Sequence, residues 1–351
     1  MTSSISIAVA GAGAIGRRHA ELLAASPRAH LAAVADPSPA SVTWAAEQGV
    51  PHYPALDALL ASGTRIDGVI LATPNHLHVP GALACAAHGV PALIEKPVAD
   101  TVAGGRVLAD AVARAGVPML VGHHRRHSHT LLRAREVIAA GGLGRIVTVM
   151  GSAQFAKPDA YFEGGPWRRV KGGGPILINL IHEMDNLRYL CGEVESVHAI
   201  ASSAVRGFEV EDSAVISLRF ASGALGSFTL SDTGAGPFSW ELTSGENRDY
   251  PHQDGSDCYV VTGTQGSLAV PTLRTWHYEG EASWWRPLAQ GREDGARNDP
   301  LAAQLDHFCD VIARTVAPRA TVADALESLR VVEAVRLSIE TGASVAPSDI
   351  Q

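Results

Sequence analysis

The sequence predicts an α/β protein, with a doubly wound parallel sheet in its first part and a mostly antiparallel sheet in its second. Three observations carry this. Short apolar runs alternate with helix-like segments through residue 122. A glycine-rich turn joins the first apolar run to the first helix-like segment. Beyond residue 194 strand-like runs follow one another with only turn residues between them, the pattern of an antiparallel sheet. At 351 residues the chain has the length of roughly two domains, and the change of texture places them at 1–122 and 123–351.

In order, Ile5–Ala10 reads as a strand, followed by the glycine turn and a helix through Ala25. Leu31–Ala35 is a second strand, ending at Asp36-Pro37, with Ser38 or Ser41 able to cap the next helix. Gly68–Ala72, Pro91–Ile94 and Pro118–Val121 are buried strands. In the second part the pattern gives a helix over Ser128–Ala140, a long strand over Arg145–Phe155 and a helix over Pro175–Leu190. Strands follow at Ser196–Ala201, Ser213–Phe220, Leu225–Ser231 and Tyr259–Val261. Two helices, Leu301–Ala313 and Val322–Thr341, close the chain and are free to pack back on the first domain. Residues 245–257 and 287–300 read as long loops.

Composition narrows the function classes. Apolar residues make up 46% and charged residues 18%, ordinary for a soluble protein with real cores. A formal charge of −8 argues against a nucleic-acid partner. No apolar run approaches the roughly 20 residues that span a bilayer. No basic segment precedes the first apolar stretch, so no secretory signal is expected. The cysteines, Cys85, Cys191, Cys258 and Cys309, share no metal-ligand spacing and suit a reducing, cytoplasmic setting.

Gly11-Ala-Gly13-Ala14-Ile15-Gly16 follows a strand and opens a helix, the context a dinucleotide fingerprint requires. The first glycine permits a tight turn, the second lets backbone approach a pyrophosphate, and the third lets helix and strand pack closely. The helix N-terminus then attracts the phosphate charge. Asp36, 20 residues after Gly16, is placed to bond both adenosine ribose hydroxyls and to repel a 2′-phosphate, favouring NAD over NADP. Thr73-Pro74-Asn75 ends another strand on the ligand-binding edge. Thr73 and Asn75 are candidates to line the cofactor cleft. His78 either lines it too or serves the following helix.

Glu95-Lys96-Pro97 ends the next strand on that edge. Beside a positively charged nicotinamide, the charged form of Lys96 is disfavoured, so the amine can orient a substrate oxygen or share in proton transfer. Glu95 can hold the nicotinamide ribose or pair with Lys96. On the 175–190 helix, at about 100° per residue, Ile176, Leu177, Leu180, Ile181, Met184 and Leu187 share one face. The opposite face carries Asn179, His182, Asp185 and Asn186. His182 is the candidate general acid/base, with Asn179 and Asp185 placed to fix a polyol. Gly172–Gly174 before this helix permit close packing.

Two further clusters stand out. In His123-His124-Arg125-Arg126-His127-Ser-His129 no Cys or acid completes a ligand set, so substrate or cofactor contact, through His124, is favoured over a metal. Arg168, in Trp167-Arg168-Arg169, is a candidate substrate contact or a plain surface residue. Trp276, Trp284 and Trp285 suit a domain or subunit interface better than sugar stacking.

The combination of Gly11-x-Gly13-x-x-Gly16, Thr73-Pro74-Asn75, Glu95-Lys96-Pro97 and Gly172-Gly-Gly174 with His182-Glu-Met-Asp185 resembles the Gfo/Idh/MocA family of NAD(P)-dependent oxidoreductases over essentially the whole chain. The resemblance implies a Rossmann domain followed by a C-terminal α/β domain with an open, largely antiparallel sheet that makes homodimer or homotetramer contacts. It also implies catalytic roles for Lys96 and His182, and a sugar or polyol substrate. The chain departs from the pattern at Ile178 and Leu180, where many family dehydrogenases have Asp and Gly. The reading is therefore an NAD-dependent oxidoreductase whose proton relay lacks that Asp. An NAD-using glycosidase of the same fold and a non-catalytic nucleotide-binding regulator are the alternatives.

Overall fold

The computed structural model describes residues 4–351. Met1-Thr-Ser, part of the stretch read as lacking a secretory signal, lies outside the described residues. The chain divides into two compact units, Met1–His124 with Pro300–Leu329, and Arg125–Asp299 with Arg330–Gln351.

Unit 1 is built on strands β1 (Ile5–Ala10), β2 (Ala29–Ala35), β3 (His52–Tyr53), β4 (Gly68–Leu71), β5 (Ala92–Ile94) and β6 (Met119–Val121). They form one sheet in the order β3-β2-β1-β4-β5-β6, every pair parallel. The order reverses direction between β1 and β4, where a doubly wound sheet opens its ligand crevice. Strands β4 and β5 are fully buried, which explains their unbroken apolar runs. The helices are α1 (Ala14–Ala25), α2 (Pro39–Glu47), α3 (Leu56–Ala61), α4 (His78–Ala87) and α5 (Val102–Ala115). Thr101 caps α5 by accepting the Gly104 N–H at 3.1 Å, and Gly116 ends it in the left-handed region at φ 62°. At two and six residues, β3 and α3 are too short to show a period.

Unit 2 contains strands β7 (Ile146–Gln154), β8 (Val194–Ser202), β9 (Ser213–Phe220), β10 (Leu225–Ser231), β11 (Tyr259–Gly263), β12 (Gly266–Val270), β13 (Arg274–His277) and β14 (Ala289–Arg292). Their order is β14-β13-β12-β11-β7-β10-β9-β8. All pairs are antiparallel except β7 with β10. One of the two stretches read as loops, 287–300, thus holds a strand, β14. Its Ala-Gln-Gly-Arg sequence has no apolar alternation to reveal it. Helices α6 (His129–Ala139), α7 (Asp159–Glu163), α8 (Ile181–Cys191) and α9 (Trp240–Thr243) belong to this unit. Ser128 caps α6 through the Leu131 N–H at 3.1 Å.

Of the two closing helices, α10 (Pro300–Ile312) belongs to unit 1, where Phe308 and Ile312 close on Gly68. In α11 (Val322–Thr341), Leu326 packs against Gly105 of α5 within unit 1. Ser338 accepts the Ala199 N–H within unit 2. No described helix is long and apolar enough to cross a membrane. All four cysteines are buried free thiols. Trp284 and Trp285 are each 84% exposed, so the burial expected of them does not occur within this chain.

Candidate active site

The glycine turn is built as the fingerprint demands. Gly11 has φ +95°, and a Cβ there would lie 2.4 Å from the Ala72 carbonyl oxygen. A Cβ on Gly16 would lie 1.9 Å from the Gly11 carbonyl oxygen, so only glycine lets α1 start this close to β1. Gly13 faces open space, and Ala14 and Ile15 beside it are exposed. Asp36 is turned onto this loop. Its carboxylate accepts the Ala12 N–H and the Ser38 N–H, each at 2.8 Å. Burial pushes the Asp36 carboxyl up, but these N–H groups and the neighbouring serine hydroxyls outweigh it and hold it below its ordinary value. It is an anion at neutral pH.

Thr73 follows β4 on the same edge, and its hydroxyl oxygen is buried with no hydrogen-bond partner. Asn75 is exposed beside it. An orphaned hydroxyl, an open glycine face and a fixed anion fit a dinucleotide. The structure gives two expected cofactor contacts other partners. His78 is 1% exposed, and its ring nitrogens face the Pro97 and Thr73 carbonyl oxygens at 2.7 and 2.9 Å, which gives it the helix-side role left open by its sequence. Glu95 is 7% exposed, and its Oε1 lies 2.8 Å from Nε2 of His19. Its carboxylate is directed inward to α1 and not to a ribose. Burial pushes the Glu95 carboxyl up, but the His19 hydrogen bond, the charge of His19 and then those of Lys96 and His124 hold it below its ordinary value. Lys96 is half-buried directly after it, and so is His124 after β6.

In unit 2 the predicted helix begins as a π-helical turn, Ile176–Leu180, and becomes regular only at Ile181. Such turns are rare and gather at functional sites. His182 is 9% exposed, and every residue from 181 to 188 is buried. Within the polar face read as substrate-facing, Asp185 is taken up by a buried ion pair. Asp185, expected to fix a polyol, is 1% exposed and accepts Nε and Nη2 of Arg126 at 2.8 and 2.7 Å. Glu183 accepts Nη1 of Arg125 at 2.7 Å and the Tyr259 hydroxyl, and Asn186 donates to the same hydroxyl at 3.0 Å. Burial pushes the Glu183 carboxyl up despite Arg125. The two arginines of the histidine-arginine run therefore brace Glu183 and Asp185, which follow His182 on the same helix.

Asn179 is half-buried in the π-helical turn, and its Oδ1 accepts Nζ of Lys157 at 2.7 Å. Lys157 was not anticipated. It is 9% exposed, lies 3.6 Å from Asp232, and faces the rings of Tyr161 and Phe155 at 5.1 and 5.7 Å. Burial holds its amine below its ordinary value, opposed by Asp232 and Glu241. Its one sequence signal was scarcity: the chain has three lysines, Lys96, Lys157 and Lys171. Arg168 stacks on Tyr161 at 3.9 Å and donates Nη1 to the Tyr161 carbonyl. The structure thus groups Asn179, Lys157, Tyr161 and Arg168, and sets Asp185 apart from them.

Fold and site define a dinucleotide-binding oxidoreductase. The chain belongs to the Gfo/Idh/MocA family: residues 5–123 match the oxidoreductase family's NAD-binding Rossmann fold, and residues 131–269 match the GFO/IDH/MocA C-terminal domain. It is 31% identical over 336 residues to the rhizopine catabolism protein MocA of Rhizobium meliloti, with 93% of each chain covered. It is 27% identical to inositol 2-dehydrogenase of Rubrobacter xylanophilus, covering 77% of this chain and 72% of that one. Among solved structures it is similar to the aldose-aldose oxidoreductase of Caulobacter crescentus complexed with glycerol, with TM-score 0.77, 25% identity and 98% and 100% coverage. The WlbA dehydrogenase of Bordetella pertussis, solved with NADH and UDP-GlcNAcA, shares the fold at TM-score 0.80 and 24% identity, with 98% and 99% coverage.

Proposed function

We propose that this protein is an NAD-dependent dehydrogenase acting on the CH–OH group of a sugar, polyol or related hydroxy compound. The observation that carries this is the cofactor-facing edge of unit 1, where the anionic Asp36 is fixed to the glycine turn and Lys96 stands two strands away at the end of β5. When bound, NAD supplies the hydride acceptor at nicotinamide C4. Gly11, Gly13, Ala14, Ile15 and Gly16 hold its pyrophosphate, Asp36 its adenosine ribose, and Thr73 and Asn75 its nicotinamide half. Asp36 favours NAD because its negative charge repels a 2′-phosphate.

Lys96 orients and polarises the reacting oxygen, and His182 exchanges its proton. The brace of Arg125 and Arg126 on Glu183 and Asp185 fixes the His182 imidazole, which is how this chain manages with Ile178 in place of an acid. Asn179, Lys157 and Arg168 bind the remaining substrate oxygens, and His124 reaches the same substrate. Among similar proteins, the names inositol 2-dehydrogenase and aldose-aldose oxidoreductase support a polyol or sugar. Buried free thiols support a reducing, cytoplasmic location.

The test is reduction of NAD, followed at the reduced-nicotinamide absorbance, against a panel of inositols, sugars and sugar acids. Turnover by wild type should fall by about 100-fold or more in Lys96→Met and in His182→Ala. Unchanged kcat in both variants would sink the assigned roles.

A further inference from the structure

We infer that two buried histidines, His19 and His78, are positioning residues for Lys96, each holding one of its two neighbours in the chain. The inference rests on the reading that Lys96 works at the cofactor. All the residues concerned lie in unit 1.

His19 lies in the second turn of α1 and is 1% exposed. Its Nε2 meets Glu95 Oε1 at 2.8 Å, while its Nδ1 is buried with no partner, so the ring's polar contact is spent on Glu95 alone. The other carboxylate oxygen, Oε2, accepts the backbone N–H of Lys96 at 3.3 Å. Gly122 closes the far side, since a Cβ there would stand 3.1 Å from that oxygen. On the other flank of Lys96, His78 opens α4 and is also 1% exposed. Its ring is wedged between the Pro97 and Thr73 carbonyl oxygens, 2.7 Å from Nδ1 and 2.9 Å from Nε2, and donates to one of them through whichever nitrogen carries the proton. Lys96 is therefore suspended between α1, which begins in the glycine turn, and α4, which begins beside Thr73.

A purely structural role would be met more cheaply by apolar side chains, because burying a carboxylate beside a titratable ring costs desolvation that the pair recovers only in part. What the arrangement gains is a fixed backbone at residue 96. A displacement of about 1 Å at a reacting group costs about 100-fold in rate, so such fixing matters at this residue.

With three lysines in the chain, lysine labelled with ¹³C at Cε gives three side-chain signals, and Lys96→Met identifies that of Lys96. In His19→Ala and in His78→Ala the Lys96 signal should move or broaden, while those of Lys157 and Lys171 stay in place. On an active substrate, kcat should fall by about 10- to 100-fold with KM changed by less than about threefold. His19→Gln, whose amide can still donate to Glu95, should restore the wild-type Lys96 signal. Should an alanine variant not fold, Gly122→Ala, which pushes on the Glu95 carboxylate with both histidines present, should displace the Lys96 signal in the same way. Folded variants whose Lys96 signal coincides with wild type would overturn the inference. A wild-type Lys96 signal that NAD does not move would count against the proposed function, while the comparison of the cofactor-free proteins still decides this inference.

Discussion

At Asp36 the carboxylate is fixed by two backbone N–H groups before any ligand arrives, so its orientation toward a ribose costs little on binding. Removing it by Asp36→Ala takes away a charge-assisted acceptor, worth roughly 1.5–3 kcal/mol. The Kd for NAD measured by fluorescence titration should rise by about tenfold or more, and the preference for NAD over NADP should narrow. Equal NAD affinity in the variant would remove Asp36 from the cofactor site. The carboxylate's neighbours were legible because they are close in sequence to a glycine pattern. Lys157 was not, because its partners Asn179 and Asp232 are far along the chain and it follows β7 in a stretch without a period. Likewise Asp185 reads as substrate-facing in sequence because Arg126, which takes up its carboxylate, is distant along the chain. A polar helix face cannot reveal whether water or a buried guanidinium will satisfy it.

Among the elements, those with a strong period were legible nearly to the residue. Strands β9 and β10 and helix α11 occupy the predicted residues, because alternation and long apolar stripes register with burial. The π-helical turn at Ile176–Leu180 had no signature, since its sequence also fits a regular helix. The start of α6 shows how an element end can depend on pH. Its cap, Ser128, donates to Glu246 Oε1, and Trp240 of α9 donates to Glu246 Oε2 at 3.1 Å. Burial pushes the Glu246 carboxyl up to about 7 from its ordinary 4.5, against the pull of Ser128 and Trp240. A carboxyl whose folded value is raised adds stability fully below its unfolded value and loses it as pH rises through the folded one. Thermal stability should therefore decline between about pH 4.5 and pH 7 by an amount on the order of 3 kcal/mol from this group. Glu246→Gln should flatten that part of the Tm–pH curve, and an unchanged slope in the variant would rule out Glu246 as its source.

At the scale of the whole molecule, the eight-stranded sheet of unit 2 has one face that its own helices do not account for. Val197, Ala199, Ile216, Leu218, Phe220, Phe228 and Leu230 point to the buried side. On the other side Ile200 and Val215 are register partners across β8 and β9, 68% and 56% exposed. Met150 of β7, 58% exposed, sits opposite Ser227 of β10 and Val260 of β11. Across β7 to β10 this face is rich in serine, threonine and apolar side chains, with Arg219 on β9 and the pair Arg274 and Arg292 at the far edge on β13 and β14, so desolvating its middle costs little. We propose that a second copy of the chain covers it, face to face, making a homodimer or a tetramer built from such pairs. Placing a cation in the middle of that contact removes more than it adds, because both copies present it to each other at a two-fold axis. Light scattering coupled to size exclusion should give wild type as an oligomer and Met150→Arg with Val215→Arg as a monomer at micromolar concentration, with Tm lowered by the lost association. A monomeric wild type, or a double variant that keeps the wild-type mass, would remove this face as the interface.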